Sequence, residues 1–341
     1  DHIGKFADRY GWDAIAEVGL GAIFIGVESK FAGDHGYDKR ATHDAKEVFS
    51  RLHNMGIRTV GAWMCGWDFH HHGNIYEDLN YFVSLYPTYQ QLTRVSPFPG
   101  TPLWEKLRQE GRVNEVPWED VHFWSGAQEN IALEPHETLN LTEYGYNLLY
   151  QTWGPSILRR MDVQLSGYAY CKKSSNPILR RHRAKFLRRQ SAMIWSMLRG
   201  LDRHAPNGVV RRRTRKIDEK FRELIGPPTP VMRGLARAVD LLTTMYRAGE
   251  FFDPMNRNPK EEPFKKYIYD KKDTNSAIPY RTEMARPDWR TRMEMRQAEL
   301  VYHALCKGLN SIRTVCLRGG DRDIDDYIIK HIDENMLGFG F

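Results

Sequence analysis

The chain has 341 residues, 41% hydrophobic and 27% charged, a globular composition that excludes wholesale disorder. Its longest apolar run, Val18–Val27, is about ten residues, too short to span a bilayer, and residues 1–10 carry no basic stretch leading into an apolar one, so no signal peptide is read there. The formal charge of +7 is a local surplus, because residues 172–222 hold 17 Lys and Arg against 3 Asp and Glu and leave 33 basic and 40 acidic residues elsewhere.

The first 110 residues read as alternating strand and helix. Ala22–Val27 is an apolar run bounded by glycines, suited to a strand buried on both faces. Ala41, Ala45, Val48, Phe49, Leu52 and Met55 fall at helical spacing, and Gly56 is a helix stop. Ile57–Met64 is the next strand, and Ile75, Leu79, Phe82, Val83 and Tyr86 mark a second amphipathic helix that Pro87 ends. Gln91–Ser96 is the third strand, and Thr101-Pro102 opens a helix that stops at Gly111. The strand–helix period of about 35 residues predicts a parallel sheet with helices outside it, an α/β partial TIM-type barrel.

Beyond residue 111 the pattern changes. Residues 112–140 read as irregular, and helices are expected over 142–165, 177–200, 211–226, 230–250 and 288–310, with Pro227, Pro228 and Pro230 at a boundary. Residues 253–290 read as a long loop, and a short acidic helix ends the chain. The expected organisation is 1–115 as the half barrel, 116–252 as a helical region with the basic segment 172–222, and 253–341 as loop plus C-terminal helices. Four scattered cysteines (Cys65, Cys171, Cys306, Cys316) form neither a C-x-x-C nor a paired framework, so a reduced, cytoplasmic setting is expected.

The polar and glycine-rich residues gather at three strand ends, where parallel α/β folds bind ligands. Gly26 and Gly66 let a ligand approach the backbone, and Glu28 and Ser29 offer a carboxylate and a hydroxyl to an amine or a ribose. Ordinary strand-to-loop turns would carry the same glycines. The three segments G-x-x-x-I-F-I-G-V-E-S, T-V-G-A-W-M-C-G-W-D and S-P-F-P-G-T-P-L-W-E-K-L-R-Q-E-G-R stand in this order. Together they resemble the second half of a radical S-adenosylmethionine enzyme barrel, of the class carrying a cobalamin-binding domain ahead of the barrel. The resemblance covers roughly residues 10–115.

It implies that Glu28 and Ser29, with Gly26, contact the amino group or ribose of S-adenosylmethionine. It also implies that Ala62, Met64 and Gly66 surround the adenine, and that Val95, Ser96 and Pro97 form the same wall. For Met64 and Val95, core packing is an equally open reading. The family acts on unactivated carbons by methylation or rearrangement, with a 4Fe–4S cluster and cobalamin, on small-molecule or lipid-like substrates. The three-cysteine cluster loop, the glycine-rich second strand and a cobalamin domain are not found in this sequence. The Asp start fits a chain lacking its N-terminal half, expected to be inactive alone and either to self-associate through the strand at 22–27 or to cover that edge with a rearranged N-terminus.

Cys65, Asp68 and His70–His72 lie within eight residues, open to a polar loop, an acid–base or cobalamin-facing histidine, or a metal site. The basic segment reads as a solvated helix face docked on the acidic body, as a contact with an anionic membrane or lipid-like substrate, or, less expected, as a nucleic-acid contact. A different class of protein fits as well: a non-catalytic scaffold whose basic helices bind an anionic partner.

Overall fold

A computed structural model describes residues 2–36, 43–114, 121–123, 131–251 and 321–337, with short pieces at 265–267 and 282–284 and single positions at 296, 304, 307, 308 and 311. The chain forms two compact units, Asp1–Pro228 and Thr229–Phe341.

In the first unit, α1 (His2–Tyr10) and α2 (Trp12–Glu17) precede β1 (Ala22–Glu28). Then come α3 (Ala45–Asn54), β2 (Arg58–Cys65), α4 (Ile75–Ser84), β3 (Tyr89–Arg94) and α5 (Pro102–Gln109). The sheet is parallel, with the order β1-β2-β3. Local chemistry sets the helix starts. Asp44 accepts from the amides of Lys46 and Glu47 at the head of α3, and Thr101 accepts from Trp104 ahead of Pro102 in α5.

Both crossover helices lie on one face of the sheet. Phe49 of α3 and Leu79 and Phe82 of α4 share a buried cluster with Trp63, Cys65 and Leu92 of the strands. Strands laid down in one direction with helices on a single side make a singly wound α/β unit, as opposed to a doubly wound one. The sheet has three strands among the described residues, so α/β architecture is established and barrel closure is not.

The helical region joins the same unit, so the division falls at Pro228. The expected boundary at 115 is bridged by packing, because Leu141 and Leu149 enter the cluster around Trp63. The other expected boundary, at 252, lies outside the described residues. The helix expected over 142–165 is in fact two, α6 (Pro135–Trp153) and α7 (Ser156–Lys173). Gly154, at φ 80°, and Pro155 break the run between them. A π turn (Leu179–Arg183) leads into α8 (Ala184–Trp195), followed by α9 (Leu198–Arg203) and α10 (Gly208–Leu224). Arg159, fully buried, fastens α7 to the sheet by donating to the carbonyls of Gly154 and Thr88 and to Gln90 and Ser156. Burial lowers its pKa to about 10.

Gly56 and Gly167 bring α7 against the turn after α3. A Cβ on Gly167 would collide with the Gly56 backbone, and one on Gly56 would lie 2.6 Å from the Gly167 Cα. His53 is sealed beside this contact, its Nε2 2.8 Å from Thr59 Oγ1. Burial holds its pKa down at about 4, against an ordinary 6.5. A histidine depressed in the folded state supplies stability that is complete above pH 6.5 and lost as pH falls through 4, about 3 kcal/mol in all. Urea unfolding at pH 7 and pH 4 should therefore give His53→Gln a smaller acid loss than wild type by about that amount. Equal losses would remove His53 as a source of acid lability.

The second unit contains α11 (Pro230–Phe251), an antiparallel pair β4 (Lys265–Tyr267) and β5 (Thr282–Met284), and α12 (Arg322–Leu337). Thr229 caps α11 by accepting from Met232 and donates to Asp325 at 2.6 Å. The helix expected over 288–310 and most of the loop expected over 253–290 lie outside the described residues. No helix among the described residues is long and apolar enough to cross a membrane.

Candidate functional site

The two faces of the sheet differ. Thr59, Gly61, Trp63 and Cys65 of β2 are buried toward the helices, whereas on the other face Val60 and Met64 are half-buried and Ala62 between them is buried. On that open face Phe24 of β1 is 57% exposed. The register sets Gly26 beside Ala62, Ala62 beside Gln91 and Met64 beside Thr93. Side chains of paired residues in a parallel sheet share a face, so Gly26, Ala62 and Met64 belong together there.

Glu28 closes β1 in an unusual way. The pairing slips between Gly26 and Glu28, and Glu28 takes φ 59°, the left-handed region. That conformation costs a non-glycine residue about 1–2 kcal/mol. It folds the carboxylate back over Gly26, where any Cβ would collide with Oε1. Gly26 leaves this space to the Glu28 carboxylate, a side-chain end that a Cβ would displace, and the carboxylate stands on the open face at the carboxyl end of the strand.

Ser29 turns the other way. Its hydroxyl accepts from the Phe31 amide and lies 3.3 Å from His70 Nε2, both side chains being buried. The Gly66 amide donates to His70 Nδ1 at 3.2 Å, which assigns the ring proton to Nε2. Nε2 donates to Asp78 at 3.1 Å. Asp78, wholly buried, also accepts from the indole of Trp63 at 3.0 Å and the amide of Lys30 at 2.5 Å. Serine and aspartate meet the same imidazole nitrogen, so this is no nucleophile relay, which needs them on opposite nitrogens. The network ties the ends of β1 and β2 to α4. It holds Ser29 away from the open face, and Gly66, at φ 87°, serves the turn that supports it.

At the end of β3, Val95, Ser96 and Pro97 are buried. The Val95 amide donates to the Cys65 carbonyl, and the Ser96 hydroxyl donates to the carbonyl of His122 at 2.9 Å. Beyond β2, Asp68 is gripped by Arg112 and Lys106, and the Arg112 hydrogen bonds hold its carboxyl below the usual range.

The loop histidines diverge. His70 is buried, His71 accepts from the Gly73 amide, and His72 pairs with Glu137 at 2.9 Å. No group of three metal-ligating side chains occurs among the described residues. Cys65 and Cys171 lie in separate apolar clusters, and burial pushes the Cys65 thiol up to about 12. Iron–sulfur clusters take thiolates, so these two cysteines do not fit one. Cys306 and Cys316 lie outside the described residues.

Part of the basic segment is neutralised internally. Arg213 and Lys220 of α10 converge on Asp162 at 3.2 and 2.8 Å, and Arg213 lies over the rings of Tyr86 and Trp153. Burial raises the Asp162 carboxyl, but Lys220, Arg213 and the Tyr86 hydroxyl outweigh it and hold the pKa low. Arg215 pairs with Asp202, and Arg222 with Asp218.

No protein-family model matches the chain, and no curated protein matches it.

Proposed function

We propose that the chain is a portion of a radical S-adenosylmethionine enzyme of the cobalamin-dependent type, with its S-adenosylmethionine seat on the open face of the sheet. The observation that carries this reading is the Glu28 carboxylate, held over Gly26 by a strained backbone where the strands end. Strain of this kind concentrates at functional sites. The singly wound sheet with one open face is what a segment of a barrel presents. Glu28 would accept from the substrate's amino group or ribose hydroxyls, and Ala62 and Met64 would flank the adenine. Val95 and Pro97 support the wall from behind, and Ser29, Gly66 and Ser96 act as positioning residues.

When bound, a reduced cluster would supply one-electron cleavage of S-adenosylmethionine. The described residues hold no fitting ligands for it, so this chain's part is to bind and orient. Methylation or rearrangement of an unactivated carbon belongs to the complete enzyme in this reading. Among the described residues β1 pairs only with β2, which is consistent with self-association through its other edge.

Calorimetric titration of the chain with S-adenosylhomocysteine and with adenosine tests the seat. Saturable binding of S-adenosylhomocysteine is expected, about tenfold weaker in Glu28→Gln, because a hydrogen bond to a charged group is lost. Adenosine binding should also weaken if Glu28 holds the ribose and stay unchanged if it holds the amino group. No binding of either ligand at millimolar concentration would overturn the reading.

A further inference from the structure

The stretch 172–201 contains nine Lys and Arg and no Asp or Glu. The helical run through the π turn into α8 buries Leu179, Ala184 and Leu187 against Cys171, Leu52 and Ile57. Its opposite face carries positions 178, 181, 182, 185 and 186, all exposed and at the spacing of one helical stripe. Two of these are large and apolar, with Ile178 67% exposed and Phe186 52%. Lys172 and Lys173, at the end of α7, are exposed too.

Cations alone would suit any polyanion. Bulky apolar side chains set among them narrow the choice. A nucleic acid could stack on Phe186 but offers nothing to Ile178. An anionic bilayer surface satisfies both groups, with headgroup phosphates for the cations and the acyl boundary for the apolar side chains. Outside 172–201 the chain carries 41 basic and 43 acidic residues, nearly balanced, so the positive surplus is concentrated in this stretch.

We propose that this face docks the protein on an anionic lipid surface, with Lys172, Lys173 and Arg181 at the headgroups and Ile178 and Phe186 entering the interface. The inference stands independently of the S-adenosylmethionine seat.

Vesicle co-sedimentation of the full chain tests it, using phosphatidylcholine with and without phosphatidylserine. Binding is expected only with phosphatidylserine. The combined variant Lys172→Gln, Lys173→Gln, Arg181→Gln should bind about 100-fold more weakly, and Ile178→Ser with Phe186→Ser about tenfold more weakly. In the unaltered chain, hydrogen exchange over 177–186 should slow when vesicles are added, a readout that needs no variant. Equal binding to both vesicle types, an apolar variant that binds like wild type, or unchanged exchange over 177–186 would each overturn the proposal. So would an RNA oligonucleotide that binds more tightly than vesicles and is indifferent to Ile178→Ser.

Discussion

Replacing Gly167 with alanine should destabilise the first unit by about 3 kcal/mol, at the upper end of what overpacking costs. The new methyl would meet backbone, the Cα and N of Gly56, with Leu187 closing the third side. Backbone atoms cannot rotate away, so α7 must separate from the turn joining α3 to β2. Gly56 cannot absorb the change, since its φ of 74° already commits the turn to glycine. Gly145 in α6 supplies the contrast. A Cβ there would lie 2.7 Å from the tip of Leu92 and 3.1 Å from that of Leu79, both side-chain ends that can yield. The helix preference for alanine offsets about 1 kcal/mol in either case. Chemical unfolding should thus give Gly145→Ala a loss near 1 kcal/mol or less, and the melting temperature of Gly167→Ala should fall by about 10 °C. Equal losses in the two variants would show that α7 has room to move.

Asp78→Ala should cost about 3–5 kcal/mol, because three donors lose a buried charged acceptor together, at about 1–3 kcal/mol for each group left unsatisfied. Three donors lose their acceptor together: the Trp63 indole, His70 Nε2 and the Lys30 amide. Asp78→Asn keeps the shape but turns an amide NH2 toward donors, so it should recover only part of the loss. Trp63 provides a local readout, because the NMR signal of its indole N–H should shift in both variants while the contact around Gly167 stays intact. A loss below 1 kcal/mol would mean that water replaces the carboxylate and that the strand ends are not pinned as described.

Much of this fold can be read from residue pattern. Apolar runs at 22–27 and 57–64 locate β1 and β2 to within a residue or two, because buried parallel strands need continuous Val, Ile and Ala. The third strand runs over Tyr89–Arg94, two residues earlier than Gln91–Ser96, since polar Gln90 conceals its start. Gly154-Pro155 was a legible break within a helical pattern, yet residues 142–165 read as one helix because the hydrophobic repeat resumes on both sides.

The site was legible in part. Glycine, glutamate and serine at a strand end direct attention to Gly26, Glu28 and Ser29. Their opposite fates depend on a backbone torsion and on His70 and Asp78, which no local pattern connects to Ser29. Asp78 sits in the first turn of α4, where an acidic residue normally reads as a solvated partner of the helix dipole. Its complete burial is a tertiary outcome, as is that of Arg159.

The left-handed backbone of Glu28 sets stability against chemistry at a single position. Glycine at 28 would relax the torsion and gain about 1 kcal/mol, at the cost of the carboxylate laid over Gly26. A side chain at position 26 could then fill the space the carboxylate occupies. Engineering guided by stability alone would therefore select these two substitutions early and, on the reading proposed above, discard ligand recognition while producing a hardier protein.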